Sequence, residues 1–203
     1  MITIEQQHRY FCINKPFDMV SQFKSPDKVR LLGEIDFDFP EGIHAIGRLD
    51  NNSEGLLLLT TNKKVTKLLF ESKTPHNRTY LVQVGRVVSA ETLHRLQTGV
   101  TIIIQEGAEY TTPPCDVRLT ERPGWLYEGG LPLRADIPQS WLYITLTEGK
   151  YHQVRKMVSA VRHPCKRLIR TSIEDMELGD LQPGCVREYS EEAFFRLLRI
   201  PYP

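Results

Sequence analysis

The sequence predicts a mixed α+β fold built on a largely antiparallel sheet. Residues 79–85 and 141–147 alternate apolar and polar side chains, which is the pattern of a β-strand with one buried face. Residues 154–161 instead place valine and methionine at the i, i+3, i+4 and i+7 positions of an amphipathic helix. Several predicted strands follow one another too closely for helical crossovers, so we expect antiparallel pairing.

The other predicted elements are short apolar segments that end at turn residues or begin at capping residues. In chain order they are a strand at 10–14, a strand at 56–60, a helix with Val65, Leu68 and Leu69 that Asn62 caps, a helix that Ser89 caps and Gly99 ends, a strand at 100–104, a strand at 167–173, a short strand within 178–189 and a final helix that Ser190 caps. Residues 111–140 contain five prolines and three glycines, which predicts a long irregular excursion.

The composition argues against several classes of protein. The chain has 203 residues, of which 40% are hydrophobic and 25% charged, and this suits a globular protein with a sizeable core. Its four cysteines form no C-x-x-C pair, so we expect reduced thiols rather than a zinc site or a disulfide framework. The N-terminus lacks a signal-peptide pattern, and the longest apolar run, Leu56 to Leu59, is too short to span a bilayer. We therefore expect a cytoplasmic protein without a membrane partner.

A carboxylate and a tyrosine occur where the chain enters two predicted strands. Asp50 ends the segment Gly-Arg-Leu-Asp shortly before the strand at 56–60, which gives an exposed acid a rigid mount. Tyr80 lies at the start of the strand at 79–85, where it can face a cleft and stack on a base. Taken singly, Asp50 could instead only shape a turn, and Tyr80 could be an ordinary core residue of a strand.

A strongly basic segment follows the strand at 141–147. Seven lysines and arginines and no acid lie between Gly149 and Ile173, whereas the formal net charge of the whole chain is only +1. Arg155 lies on the polar face of the predicted helix in this segment. Such a segment suits a phosphate backbone, although a run of like charge is often only a solvated surface.

Together, these segments resemble one known family. The patterns G-R-L-D-x-x-S-E-G-L-L-x-L-T, R-T-Y-x-V-x-V and E-G-x-x-x-Q-V-R-K-M occur in the order and spacing of the RsuA-type branch of pseudouridine synthases. The resemblance covers nearly the whole chain, because residues 13–16 (I-N-K-P) and 167–170 (R-L-I-R) also match family positions. The chain departs from the family at Asn51-Asn52, where a basic-acidic pair is common, and at residues 150–152 (K-Y-H), where R-N-R is usual.

The resemblance implies a single catalytic domain over residues 1–203, with a largely antiparallel sheet in two lobes, flanking helices and a central active-site cleft. It implies an isomerase that converts a specific uridine of ribosomal RNA to pseudouridine, with Asp50 as the nucleophile, Tyr80 stacked on the uracil and Arg155 paired with Asp50. The chain begins at the first catalytic strand, so we expect no N-terminal domain of the ribosomal S4 type. The expected lack of an S4-type domain and the sequence of residues 137–146 make the chain most similar to the RluE type, which modifies large-subunit (23S) ribosomal RNA. We expect a monomer.

The expected chemistry sets the demands on the site. Uracil is detached from its ribose, turned and rejoined through carbon without any redox change, so we expect neither a cofactor nor a metal. The base must leave its stack, which costs a few kcal/mol, and stacking on Tyr80 could return about 1–3 kcal/mol. Whether Asp50 attacks C1′ or C6, or first removes a ribose proton, stays open. The candidate RNA-binding residues are Arg48, Lys150, Gln153, Lys156, Arg162, Lys166, Arg167 and Arg170.

Other functions remain in view at this point. A non-catalytic RNA-binding module would keep the basic segment without needing Asp50, Tyr80 and Arg155 together. A hydrolase or phosphotransferase with an aspartyl nucleophile would need a metal cluster or a phosphate-binding glycine loop, and the sequence has no G-x-x-x-x-G-K-[ST]. Within the family, the target could also be small-subunit ribosomal RNA or tRNA, and we hypothesise that residues 111–140 help to select it.

Overall fold

The computed structural model describes residues 7–70, 74–130 and 136–202. Residues 1–6, on which the expectation about the N-terminus rests, lie outside these ranges, and so do residues 131–135 of the predicted excursion. The strands and α-helices, in chain order, are β1 (Tyr10–Lys15), β2 (His44–Ile46), β3 (Glu54–Thr60), α1 (Lys64–Phe70), β4 (Arg78–Gly85), α2 (Ala90–Thr98), β5 (Thr101–Ile103), β6 (Glu109–Thr111), β7 (Asp116–Thr120), β8 (Gln139–Leu146), α3 (Gln153–Ala160), β9 (Cys165–Ile173), β10 (Met176–Glu177), β11 (Val186–Tyr189) and α4 (Glu191–Leu197).

Most strands join one sheet in the order β11-β1-β3-β9-β4-β8-β7, with β2 paired to β3 and β10 paired to β9. Among the described strands, only β3 and β9 pair in parallel. The α+β fold with a largely antiparallel sheet is therefore confirmed, while the division into two lobes and the single domain over residues 1–203 stay predictions. No helix in the described ranges is long and apolar enough to cross a membrane.

The predicted helix caps are confirmed. Asn62 Oδ1 accepts a hydrogen bond from the backbone N–H of Lys64 at 3.1 Å, at the start of α1. Ser89 and Ser190 accept hydrogen bonds from the third residue beyond each of them, at the starts of α2 and α4. These bonds satisfy backbone donors that the first helical turn leaves unpaired.

The core explains why four leucines follow one another in β3. Leu56 and Leu58 pack on one face of the sheet against α4, in a cluster that contains Tyr10 and Phe194. The other face, with Leu57 and its neighbours, is covered by the segment between β1 and β2. Because both faces are buried, β3 has no solvent side and its sequence does not alternate. A separate cluster packs β4 and β8 against α2 and α3.

The parallel contact between β3 and β9 is short and very close. It pairs Glu54 with Ile169 and Gly55 with Arg170. Gly55 has a φ of +98°, and a Cβ there would lie 2.3 Å from the backbone oxygen of Arg170, so only glycine fits. The carboxylate of Glu54 also accepts two hydrogen bonds, at 2.7 and 2.8 Å, from the guanidinium of Arg167 on β9. This pair and the close backbone contact fix the place where the two strands meet.

The prediction of an irregular excursion is wrong for part of residues 111–140. Residues 116–120 form β7, which pairs with β8 over its whole length. Val117 is buried, and Leu126 further along is 4% exposed, so the segment packs on the body of the protein. Prolines on both sides hid this strand because they made the whole stretch read as loop. The short strands β2 and β10 were also not predicted.

The buried ion pair at the β3–β9 junction generates a prediction about stability. In Glu54→Gln, Arg167 keeps its positive charge in a site where both side chains are less than 10% exposed, so the free energy of unfolding should fall by about 3–5 kcal/mol. The matched control is Glu188→Gln, which breaks the surface pair with Arg9 and should cost less than about 1 kcal/mol. Urea unfolding measures both variants, and equal losses would contradict a special role for the buried pair.

Candidate active site

Asp50 lies in the loop between β2 and β3, and its backbone is held by close packing and a serine. Gly47 at the start of the loop has a φ of +72°, and a Cβ there would lie 2.8 Å from the Phe70 ring. The Ser21 hydroxyl accepts a hydrogen bond from the N–H of Leu49 and donates one to its carbonyl, both at 2.9 Å. The residue directly before Asp50 is thus fixed at both of its backbone polar groups.

A buried lysine holds the other end of this loop. Lys15, at the end of β1, has no exposed surface, and its Nζ donates to the backbone oxygens of Pro16, Met19 and Asn51 at 2.9, 2.5 and 3.3 Å. Asn51 is further fixed because its side chain donates to the carboxylate of Asp18 at 2.8 Å. Burial lowers the pKa of Lys15 to about 8. The lysine therefore ties the end of β1 to the residue that follows Asp50.

Two nitrogen-bearing side chains, from α3 and from the turn before it, approach the Asp50 carboxylate. His152 Nε2 lies 3.4 Å from Oδ1, and Arg155 Nε lies 3.9 Å from Oδ2. Arg155 also donates through Nη2 to the backbone oxygen of Asn52 at 2.8 Å and to Ser53 Oγ at 3.1 Å. The Arg155 guanidinium thus contacts both the Asp50 carboxylate and the backbone of the loop that carries Asp50. Asp50 itself stays one-third exposed.

The turn that carries His152 is braced by a glutamine. Gln153 accepts a hydrogen bond from the backbone N–H of Lys150 at 2.8 Å and donates to Glu148 at 2.6 Å. His152 has a φ of +56°, a left-handed conformation that needs such support in a residue with a side chain. The exposed Tyr151 ring stacks on the imidazole with 3.8 Å between ring centroids. His152 is therefore held between an aromatic ring and the carboxylate.

Asp50 faces a cleft with a volume of about 620 Å³. Tyr80 on β4 is half-buried and lines the same cleft, directly opposite Arg170 on β9 in the strand register. Facing residues of an antiparallel pair present their side chains on the same side of the sheet. The charged and aromatic side chains that line the cleft are Arg48, Asp50, Phe70, Arg78, Tyr80, Glu148, Lys150, Tyr151, His152 and Arg170.

The structure brings many of the predicted site residues together. Asp50 and Tyr80 line the cleft together with Arg48, Lys150, Gln153 and Arg170, and Arg155 lies beside the Asp50 carboxylate. Lys156 lies above the Tyr151 ring, with 5.3 Å from Nζ to the ring centroid. Arg162 and Lys166 are exposed on the protein surface, just after α3 and at the start of β9.

Two of the predicted RNA contacts must be corrected. Arg167 is 6% exposed, and its guanidinium is bound to the Glu54 carboxylate and to the backbone oxygen of Tyr127. Gln153 is 4% exposed, and its amide is bound within the protein at both ends. Neither side chain is free to contact a phosphate, so both are left out of the proposed RNA interface.

Three residues of the site had no predicted role. Lys15 was matched only as part of a family pattern, and nothing in the sequence indicates that its amine holds the Asp50 loop. His152 belongs to the segment that departs from the usual R-N-R, and that departure was the one available signal. Arg78 precedes Tyr80 by two residues, so the alternation of β4 places it on the side of the sheet that faces the cleft.

Comparison with known proteins agrees with this architecture. Residues 9–160 match the family model described as RNA pseudouridylate synthase. A Vibrio parahaemolyticus protein named Ribosomal large subunit pseudouridine synthase E is 36% identical over 90% of this chain and 74% of its own length. A Xanthomonas axonopodis pv. citri protein of the same name is 38% identical over 84% of this chain and 88% of its own. A crystal structure of a pseudouridylate synthase superposes with a TM-score of 0.74 at 25% identity, covering 97% of this chain and 76% of that one.

The chain belongs to the RNA pseudouridylate synthase family. It is an isomerase that converts uridine in RNA to pseudouridine. The resemblance to the RsuA-type branch, and within it to the large-subunit type, is confirmed by these comparisons.

The lowered pKa of Lys15 generates a prediction about pH and stability. Between about pH 8 and about pH 10 the unfolded chain still binds a proton that the folded protein has released. The free energy of unfolding of the wild type should therefore rise with pH relative to Lys15→Met, by up to about 1 kcal/mol per pH unit. Urea unfolding across this range measures the difference. The control is Lys24→Met, at an exposed position, whose free energy of unfolding should differ from that of the wild type by the same amount at every pH. The prediction would be refuted if the difference between Lys15→Met and the wild type were also independent of pH.

Proposed function

We propose that this protein isomerises one specific uridine of ribosomal RNA to pseudouridine, that the RNA is that of the large subunit, and that Asp50 is the nucleophile. The position of the Asp50 carboxylate carries the proposal. It lies between the side chains of His152 and Arg155, and it lines the same cleft as Tyr80. The two relatives named for the large ribosomal subunit support the choice of RNA.

Asp50 is suited to the reaction because it is anionic, partly exposed and held from several directions. In the reaction the N1–C1′ bond of uridine breaks, a C5–C1′ bond forms, C5 loses its proton and N1 gains one. A carboxylate can act as the nucleophile or base in such a step. Arg155 keeps a positive charge beside the Asp50 carboxylate throughout the reaction. The same guanidinium also holds the loop through its hydrogen bonds to Asn52 and Ser53.

The target uridine must leave its stack to reach a carboxylate inside a cleft. Flipping the base costs a few kcal/mol, and stacking on the half-buried Tyr80 ring would recover about 1–3 kcal/mol. The remaining affinity would come from phosphate contacts with exposed and partly exposed cations. We assign these to Arg48 and Lys150 beside the cleft and to Lys156, Arg162 and Lys166 beyond it.

The proposal includes action as a monomer in the cytoplasm. The four cysteines are unpaired thiols, and this agrees with action in the reducing cytoplasm.

The reaction, the target and the nucleophile can be tested in one experiment. Pseudouridine is mapped in total RNA by carbodiimide modification and primer extension, from cells with and without the gene. We expect one signal in large-subunit ribosomal RNA to disappear, and to return with the wild type and with the control Asp36→Asn, which changes an exposed aspartate. Asp50→Asn should not restore it.

Other outcomes of this mapping would redirect or refute the proposal. A lost signal in small-subunit ribosomal RNA or in tRNA would keep the reaction and change the target. Restoration by Asp50→Asn would remove Asp50 from the role of nucleophile.

The contacts of Arg155 generate a prediction about catalysis. In Arg155→Lys, a single ammonium cannot reach the Asp50 carboxylate, the Asn52 oxygen and the Ser53 hydroxyl together. We expect turnover of a short RNA substrate to fall about 10- to 100-fold, with little change in unfolding temperature. Arg95→Lys, on the exposed face of α2, is the matched control and should be unaffected. Near-wild-type turnover in Arg155→Lys would rule out the pairing.

A further inference from the structure

Two arginines line the cleft next to Tyr80, and neither is part of the Asp50 group. Arg170 on β9 lies opposite Tyr80 in the strand register, and Arg78 lies two residues before Tyr80 on β4. All three side chains line the same cleft. The sheet therefore presents an aromatic ring and two guanidinium groups together.

Both guanidinium groups have buried donors without a partner. Arg170 is 3% exposed, and its Nε donates to the backbone oxygen of Leu56 at 2.8 Å, while its Nη2 is buried and makes no hydrogen bond. Arg78 has a buried Nε that makes none, and its guanidinium lies 5.0 Å above the Phe70 ring centroid. A buried donor that lacks an acceptor is costly, and it marks a place where a ligand acceptor is expected.

Neither guanidinium makes a direct ion pair within the described part of the chain. No ion pair there joins Arg78 or Arg170 to a carboxylate. Burial lowers the pKa of Arg78 and the nearby Arg170 charge acts in the same direction, while Tyr80 and Glu174 partly oppose this shift. Since arginine stays protonated, the two cations remain charged in a partly desolvated site. An anion between them would relieve both the repulsion and the missing hydrogen bonds.

We propose that Arg78 and Arg170 form a binding subsite for one phosphate group, that of the nucleotide whose base stacks on Tyr80. This inference rests on the proposed function for the identity of that nucleotide. The guanidinium fork matches phosphate oxygens, and opposite residues of an antiparallel pair have Cβ atoms about 4.5–5.5 Å apart, which is within the span of one nucleotide. The subsite holds the ribose through its phosphate while the glycosidic bond is broken and the base turns.

The test measures the unfolding temperature of the full chain with uridine 5′-monophosphate, with uridine and with inorganic phosphate, at one ionic strength. For the wild type, we expect the monophosphate and inorganic phosphate to raise Tm by about 3–6 °C near tenfold Kd, and uridine to raise it less. Arg78→Gln should abolish the advantage of the monophosphate over uridine and the effect of inorganic phosphate. Arg187→Gln, which changes an exposed arginine paired with Asp180, should keep both effects.

Arg170→Gln is expected to lose the same effects, but it also removes a buried hydrogen bond to Leu56, so Arg78→Gln decides the question. Equal shifts from uridine and its monophosphate in the wild type, including no shift from either, would overturn the subsite. The subsite would also be overturned if, in Arg78→Gln, the monophosphate still raised Tm more than uridine by the same margin as in the wild type. If either result occurs while the wild type restores pseudouridine in cells, the subsite is wrong and the proposed function stands. If the phosphate effect is present but no pseudouridine is restored, the subsite stands and the proposed function fails.

Discussion

The active site depends on the short contact where β3 and β9 run side by side. The loop that carries Asp50 leads directly into β3, whereas Arg170 lies on β9 and Tyr80 on the neighbouring β4. The two strands share only two residue pairs, and their backbones approach so closely that Gly55 leaves no room for a side chain. A shift of one residue at this contact would turn every side chain of one strand to the other face of the sheet. The distance from the Asp50 carboxylate to the Tyr80 ring is thus set by backbone packing, with the Glu54–Arg167 pair beside it.

The Asp50 loop is held differently from the strands that flank it. A loop has no ladder of backbone hydrogen bonds, so its polar groups need partners from elsewhere. Here side chains supply them: Ser21 binds Leu49, and Lys15 and Arg155 bind the carbonyls that follow Asp50. These contacts fix the backbone and leave the Asp50 carboxylate itself partly open to the cleft. A nucleophile needs this combination, because it must keep one position and still be reached by substrate.

Local patterns predicted the parts of the structure that local forces decide. Helix caps, alternating strands and the three motifs with Asp50, Tyr80 and Arg155 are short-range features. The structure contains the predicted caps, places Asp50 and Tyr80 at one cleft and places Arg155 beside Asp50. The errors concern long-range partners. Arg167 looked like a surface cation because its partner, Glu54, lies 113 residues away in the sequence. Residues 116–120 looked like a loop because prolines flank them and the sequence gives no sign of their pairing with β8. A basic segment gives the total charge but not the direction in which each side chain points.

The reaction places a demand on the site that binding of the base alone does not meet. Uracil has to be released and turned before it is rejoined, so contacts that hold the base rigidly would oppose the middle of the reaction. A stacking contact such as the one proposed for Tyr80 has no strong directional preference within the plane of the ring, and it can persist while the base turns. The ribose must meanwhile stay beside Asp50, which requires contacts that do not pass through the base. The proposed roles meet both needs, because Asp50 lies on the β3 side of the cleft whereas Tyr80, Arg78 and Arg170 lie on β4 and β9.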